Sequence, residues 1–175
     1  MRASLSRAAR AVSAFVEDAR TVVDTCRSRG ASSPRLRAAA EPALWVLALV
    51  RGGAAVRALG GSSFASSLVL RTIFHVDVWT DDIGPGLRLP HPFGIVIGEG
   101  VSIGARCTLM HNVTVQRSPS TRIGDGVTLA TGAVVLEGSS IGDGAVVGAA
   151  SVVRGMIPAG SVAVGAPARV VRPAA

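Results

Sequence analysis

The sequence is poor in the residues that build large stacking surfaces. Tyr is absent, and aromatic residues make up only 3% of 175 positions. A core must therefore come from Val, Ile, Leu and Ala, which suit closely repeating layers. The apolar share of 49% is enough for a sizeable one. Lys is also absent, so all 18 basic side chains are Arg; we read no function into that bias. The two cysteines, Cys26 and Cys107, lie far apart and form no cluster. That argues against a disulfide framework and a Cys-based metal site, and makes a reducing, cytoplasmic setting the expectation. The longest apolar run, "ALWVLALV" at 43–50, is too short to cross a bilayer.

Charge is uneven along the chain. Residues 1–75 hold eleven Arg against four acids, whereas residues 76–175 hold seven of each. A basic segment can meet nucleic acid or an acidic membrane surface. This one has no interleaved aromatics, and its Arg residues alternate with Ala, Val and Leu, so it reads as a solvated helical face with no nucleic-acid partner. The opening "MRASLSRAARAVSAF" is Arg- and Ser-rich like a transit peptide, but without a cleavage-site pattern it reads as an amphipathic helix.

Two regions follow from the patterning. Residues 1–75 lack strand alternation and read as an α-helical region: helices over 1–30 and 35–60, broken at "RGASSP" and at Gly52-Gly53, then a further helix within 63–76. Residues 76–175 carry a different period. Ile97, Ile103, Leu109 and Val115 are six apart, and the series resumes through Ile123, Leu129, Val135, Ile141, Val147 and Val153. A small residue often follows the aliphatic, as at Gly98, Gly104 and Gly142. Six is not close to a multiple of 3.6, so these aliphatics cannot line one helix face. Short strands joined by tight corners can use the period: three hexapeptides make a triangular coil of roughly 18 residues, and coils stack about 4.8 Å apart. The expected fold is mainly β, a parallel hexapeptide solenoid behind an α-helical N-terminal region. The series slips by two residues between Ile95 and Ile97 and again within "QRSPSTR" at 116–122. Such insertions are expected to bulge outward.

In this register His91 and His111 are both third in their hexapeptides and twenty residues apart. They are expected on one edge of the prism, on adjacent coils, with Thr131 and Ala149 continuing the column. Pro90 and Pro92 restrict the backbone of His91 and fix where its imidazole points.

"VDV" at 76–78, "IGPGLRLPHPFGIVIG" at 83–98, "VTV" at 113–115 and "PAGSVAVGAPARVV" at 158–171 resemble the serine acetyltransferase branch of the hexapeptide acyltransferases. The resemblance covers roughly residues 70–173, and it supplies the left hand of the expected β-helix. It implies an acetyl-CoA-dependent O-acetyltransferase with no metal and with His91 as general base. Asp77 would orient the imidazole and stabilise its charged form, with Asp81 and Asp82 as the alternative carboxylates, because "VWTDDIG" departs from the family spacing by one residue. Acetyl-CoA is expected between neighbouring prisms of a homotrimer, past Thr131 and Ala149, with Arg169 toward its phosphates. The resemblance is incomplete. The family carries an acid where Pro90 stands and an Arg-His pair where "VTVQRSPSTRIG" has no His. His111 and Arg117, or Arg122 in its place, are the candidates for holding the acceptor. We therefore expect a small-molecule hydroxyl acceptor other than free serine, a sugar or a natural-product intermediate. Serine itself is the alternative. A non-catalytic or metal-binding scaffold is the reading from another class; it would need three clustered histidines, and His75 lies before the repeats.

Overall fold

The computed structural model describes residues 2–173. Four helices come first: α1 (Arg2–Ser28), α2 (Pro34–Ala39), α3 (Pro42–Ala58) and α4 (Phe64–Ile73). Ala14, Asp18, Val22 and Cys26 repeat every four residues and form the buried face of α1. That face packs on Ala43, Val46, Leu47 and Val50 of α3. One expectation for this region is corrected. The segment 35–60 breaks at Ala40–Glu41 and not at Gly52-Gly53. Pro42 has no N–H to donate and suits a helix start, and Glu41 before it is extended (φ −78°, ψ 126°). The glycine pair instead permits a close approach: a Cβ on Gly53 would stand 2.9 Å from Ser66 Oγ of α4.

The remainder is a left-handed parallel β-helix of three faces. The first face stacks Asp77–Val78, Val96–Ile97, Thr114–Val115, Val134–Val135 and Val152–Val153. The second stacks Ser102–Ile103, Arg122–Ile123, Ser140–Ile141 and Met156–Ile157, with Ile83 bridged to Ile103 above them. The third stacks Thr108–Leu109, Thr128–Leu129, Val146–Val147 and Val162–Gly165, with Arg88 bridged to Thr108. Ala168–Arg172 folds back antiparallel on Val162–Gly165 and closes the end. The hexapeptide aliphatics from Ile97 to Val153 all point inward, none more than 3% exposed. Val101, Val113, Val127, Ala133 and Ala145 form a second buried ring. At the edge between the second and third faces, Asp125 and Asp143 cap the coils above them, accepting the N–H of Ala105 and of Asp125 at 2.8 Å each.

A buried ion pair joins helices to solenoid. Asp18 is 0% exposed and Arg51 5%. Arg51 Nε donates to Asp18 Oδ2 at 2.8 Å, and its two Nη atoms donate to the carbonyls of Ile83 and Gly84 at 2.7 Å each. Asp18 Oδ1 also accepts the Leu87 N–H at 2.8 Å. The first coil is therefore held by α1 and α3 four residues before His91.

Candidate active site

Strand pairing gives each insertion an address. Arg88 pairs with Thr108 and Val96 with Thr114, so the corner between them has two residues more than the corner below it. That longer corner, on the edge between the third and first faces, carries Pro90, His91, Pro92 and Phe93. Pro92 is buried while His91 stands exposed. The Phe93 N–H donates to the His91 carbonyl at 2.9 Å, and its ring packs on Phe74 with centroids 6.2 Å apart. Gly94 (φ 67°) has no room for a side chain, since a Cβ would lie 2.2 Å from Asn112 Oδ1. The corner is thus pinned on both sides of the histidine.

His111 lies on the next coil of the same edge. The two imidazoles meet edge to face, with centroids 5.8 Å apart. His111 is half-buried, and its Nδ1 is shielded and has no hydrogen-bond partner. Below it the edge continues through Thr131 and Ala149. The coils are tied by Gly132 N–H to the His111 carbonyl at 3.0 Å and Ala150 N–H to the Thr131 carbonyl at 2.9 Å. The C-terminal hairpin ends the column: Gly165 N–H donates to Ser151 Oγ at 3.0 Å, and the exposed Arg169 follows the turn. Four coil steps of about 4.8 Å separate His91 from this hairpin, roughly 19 Å.

Asp77 begins the top strand of the first face, paired with Val96. Its carboxylate accepts Arg71 Nε at 2.8 Å, and that guanidinium stacks on Trp79 at 4.6 Å. From Val78 to Ile83 the chain is one residue shorter than from Ile97 to Ile103 in the coil below, and Asp77 keeps its register. Asp81 and Asp82 sit in that shortened corner, on the edge between the first and second faces, where Arg57 holds Asp81.

Within one chain the structure does not bring Arg117 to the histidine edge. Its corner, 116–122, is also two residues longer than the one below, but it joins the first face to the second. Arg117 is exposed and lies 3.7 Å from Glu99. The insertion is anchored at two points. Ser118 N–H bonds the Glu99 carbonyl at 3.1 Å, and Thr121, fully buried, accepts the Gly138 N–H at 3.0 Å. Ser118 and Thr121 are buried against the coil, while Gln116, Arg117, Pro119 and Ser120 stand exposed. Nothing in the repeat relates Arg71 to Asp77, so the sequence pattern carries no sign of their pair.

Among the described residues no group of three or more His, Cys, Asp or Glu is placed to hold a metal ion, and no helix is long and apolar enough to cross a membrane.

A triangular prism of hexapeptides with a histidine edge defines a class of transferases, and comparison with known proteins agrees. Residues 120–155 match the family model "bacterial transferase hexapeptide (six repeats)". A probable serine acetyltransferase of rice (Oryza sativa subsp. japonica) is 43% identical over 108 residues, 57% of this chain and 31% of that protein. Soybean serine acetyltransferase, solved in complex with serine, is 30% identical; the match covers 93% of this chain and 70% of the soybean chain, with a TM-score of 0.70. A serine acetyltransferase solved in complex with CoA shares the fold, with a TM-score of 0.77 at 22% identity over 96% of this chain and 74% of that one. The chain belongs to the serine acetyltransferase branch of the hexapeptide-repeat acyltransferases. It spans about a third of the length of the curated relative from rice.

One expectation is overturned by these matches. Pro90 and the missing His in 116–122 argued against free serine as acceptor. Yet the matched relatives are serine acetyltransferases, and the soybean structure holds serine.

Proposed function

We propose that this chain is a CoA-dependent O-acetyltransferase that moves the acetyl group of acetyl-CoA to the hydroxyl of L-serine. The observation that carries the reading is the two-residue insertion that sets His91 beside His111 at the head of a small-residue edge, in a chain whose relatives are serine acetyltransferases.

His91 accepts the hydroxyl proton as the oxygen attacks the thioester carbonyl. The C–S bond then breaks, and the imidazolium returns the proton to the leaving thiolate. A neutral imidazole is a competent base near pH 7. Asp77, whose Oδ1 accepts Arg71 Nε, is the carboxylate that orients the ring and stabilises its charged form. His111 contacts the acceptor from the coil below. The donor lies along the edge past Thr131 and Ala149, whose short side chains admit a thin acyl carrier, and Arg169 meets its phosphates as a charge-assisted partner. The chemistry belongs to the solenoid, 76–175, supported by the helical region, 1–75.

A single convex edge cannot enclose a thioester, so the working form is a cytoplasmic homotrimer with three equivalent clefts between subunits. Phe93 and Val96, 44% and 38% exposed beside His91, provide apolar surface for the neighbour. Arg117 reaches the acceptor only across that boundary. Thiol release from acetyl-CoA, with mass analysis of the product, tests the activity. O-acetylserine formed only with L-serine present is expected; thiol release indifferent to serine refutes it. Sedimentation equilibrium giving a monomer at micromolar concentration, with full activity, would refute the trimer.

A further inference from the structure

Serine reaches the enzyme as a zwitterion, so a site that selects it needs an acid for the ammonium and a base for the carboxylate, both near the catalytic hydroxyl. Pro90 offers neither. Pro90 directly precedes His91 in the chain, and the cleft that Pro90 itself lines holds both an acid and a base. Its solenoid wall is Arg88, Leu89 and Pro90, directly before His91, and its helical wall includes Thr21 and Arg29 of the first helix and its following turn and Glu41 at the start of α3. The cleft is small, about 70 Å³, and a larger cavity of about 620 Å³ shares Cys26, Arg29 and Glu41 with it.

The charges in this cleft are those a zwitterion would meet. Glu41 is its only carboxylate. It is a quarter exposed and holds Arg37 only through a long 3.3 Å contact to a largely exposed guanidinium. It makes no side-chain cap for α3, so the helix does not require it there. Arg29 and Arg88 line the cleft from opposite walls, both exposed, and neither makes an ion pair among the described residues. A charged hydrogen bond on each end of a small acceptor discriminates more strongly than one on a neutral group.

We infer that the acceptor's α-amino acid group is recognised by this cleft, with Glu41 binding the ammonium and Arg88, assisted by Arg29, binding the carboxylate. The inference rests on the reading of L-serine as acceptor. It makes the helical region part of the substrate site, and Glu41, Arg29 and Arg88 determinants of specificity.

The test uses the full chain and three compounds: L-serine, ethanolamine, which lacks the carboxylate, and 3-hydroxypropionate, which lacks the ammonium. The last two are measured as competitors of serine. Glu41→Gln is expected to lower kcat/KM for L-serine roughly 10- to 100-fold, mostly through KM, and to weaken ethanolamine equally while leaving the inhibition constant of 3-hydroxypropionate unchanged. Arg88→Gln, alone and with Arg29→Gln, is expected to weaken serine and 3-hydroxypropionate but not ethanolamine. The unaffected competitor in each case shows that the variant is folded. Equal losses for both competitors in either variant, or no loss with serine, overturn the inference. If the wild-type chain does not acetylate L-serine at all, the reading beneath it fails, which is a separate outcome.

Discussion

Replacing Asp18 by Ala should detach the helices from the solenoid. The carboxylate is fully buried and takes hydrogen bonds from Arg51 Nε, Arg51 Nη2 and the Leu87 N–H. Without it, the Arg51 guanidinium keeps only the carbonyls of Ile83 and Gly84, and the Leu87 N–H is left without an acceptor. Removing one partner of a buried ion pair costs about 3–5 kcal/mol, because the surviving charge remains desolvated. For a chain of this size each kcal/mol moves the melting midpoint by about 2–4 °C, so the drop should be roughly 6–20 °C. Asp18→Asn keeps an acceptor for Leu87 but not the compensating charge, and should fall between the two. The internal control is Arg20→Ala on the same helix, where the pair with Glu17 is 66% and 49% exposed and should be worth under about 1 kcal/mol. Circular dichroism at 222 nm reads the helical part specifically. Loss of that signal at a lower temperature, ahead of the β-helix, is the expected pattern. An Asp18→Ala midpoint within about 2 °C of wild type, the shift that under 1 kcal/mol would give, refutes the claim that this pair holds the first coil.

Three further outcomes follow. His91→Ala should lower turnover roughly 10²–10⁴-fold with CoA affinity by calorimetry unchanged, since the side chain is exposed; Asp77→Asn should lose less, and His111→Ala less again. An inactive His111→Ala beside an active His91→Ala would move the base one coil. Ile141→Asp, at a position 1% exposed, buries a carboxylate without a partner and should leave the chain insoluble; recovery of a folded protein would contradict the inward register. Cys107 is fully buried and donates to the Gly124 carbonyl at 3.1 Å, and burial pushes its thiol up from 9.0. It should therefore resist an aromatic disulfide reagent at pH 8 until the protein is unfolded, and rapid native labelling would count against the packing.

What the sequence disclosed depended on how far each relation lay from the repeat. The six-residue period is a statement about which side chains face inward, so Ile97 to Val153 could be placed before any coordinates, and with them the shared edge of His91 and His111. The two slips were visible as counts. Their edges follow only when each is referred to the face it leaves: the first departs from the third face beside Arg88, the second from the first face after Val115. That difference separates His91 from Arg117 within one chain, although the family resemblance put both beside the acceptor. The helical region has no such ruler. Asp18 and Arg51 meet across 33 positions because one face of α1 packs on α3, and nothing local marks either as buried. The cleft lined by Pro90 is harder still, since its walls come from a helix end, a proline-started helix and the first coil. The expectation against serine rested on Pro90 and on the missing His in 116–122, two local groups, and the matched serine acetyltransferases overturn it. A β-helix presents its edge to whatever packs beside it, and the charge missing from one residue of the coil can be supplied by a side chain with no place in the repeat. Glu41 occupies that position here, and the competitor series above measures whether it fills the role.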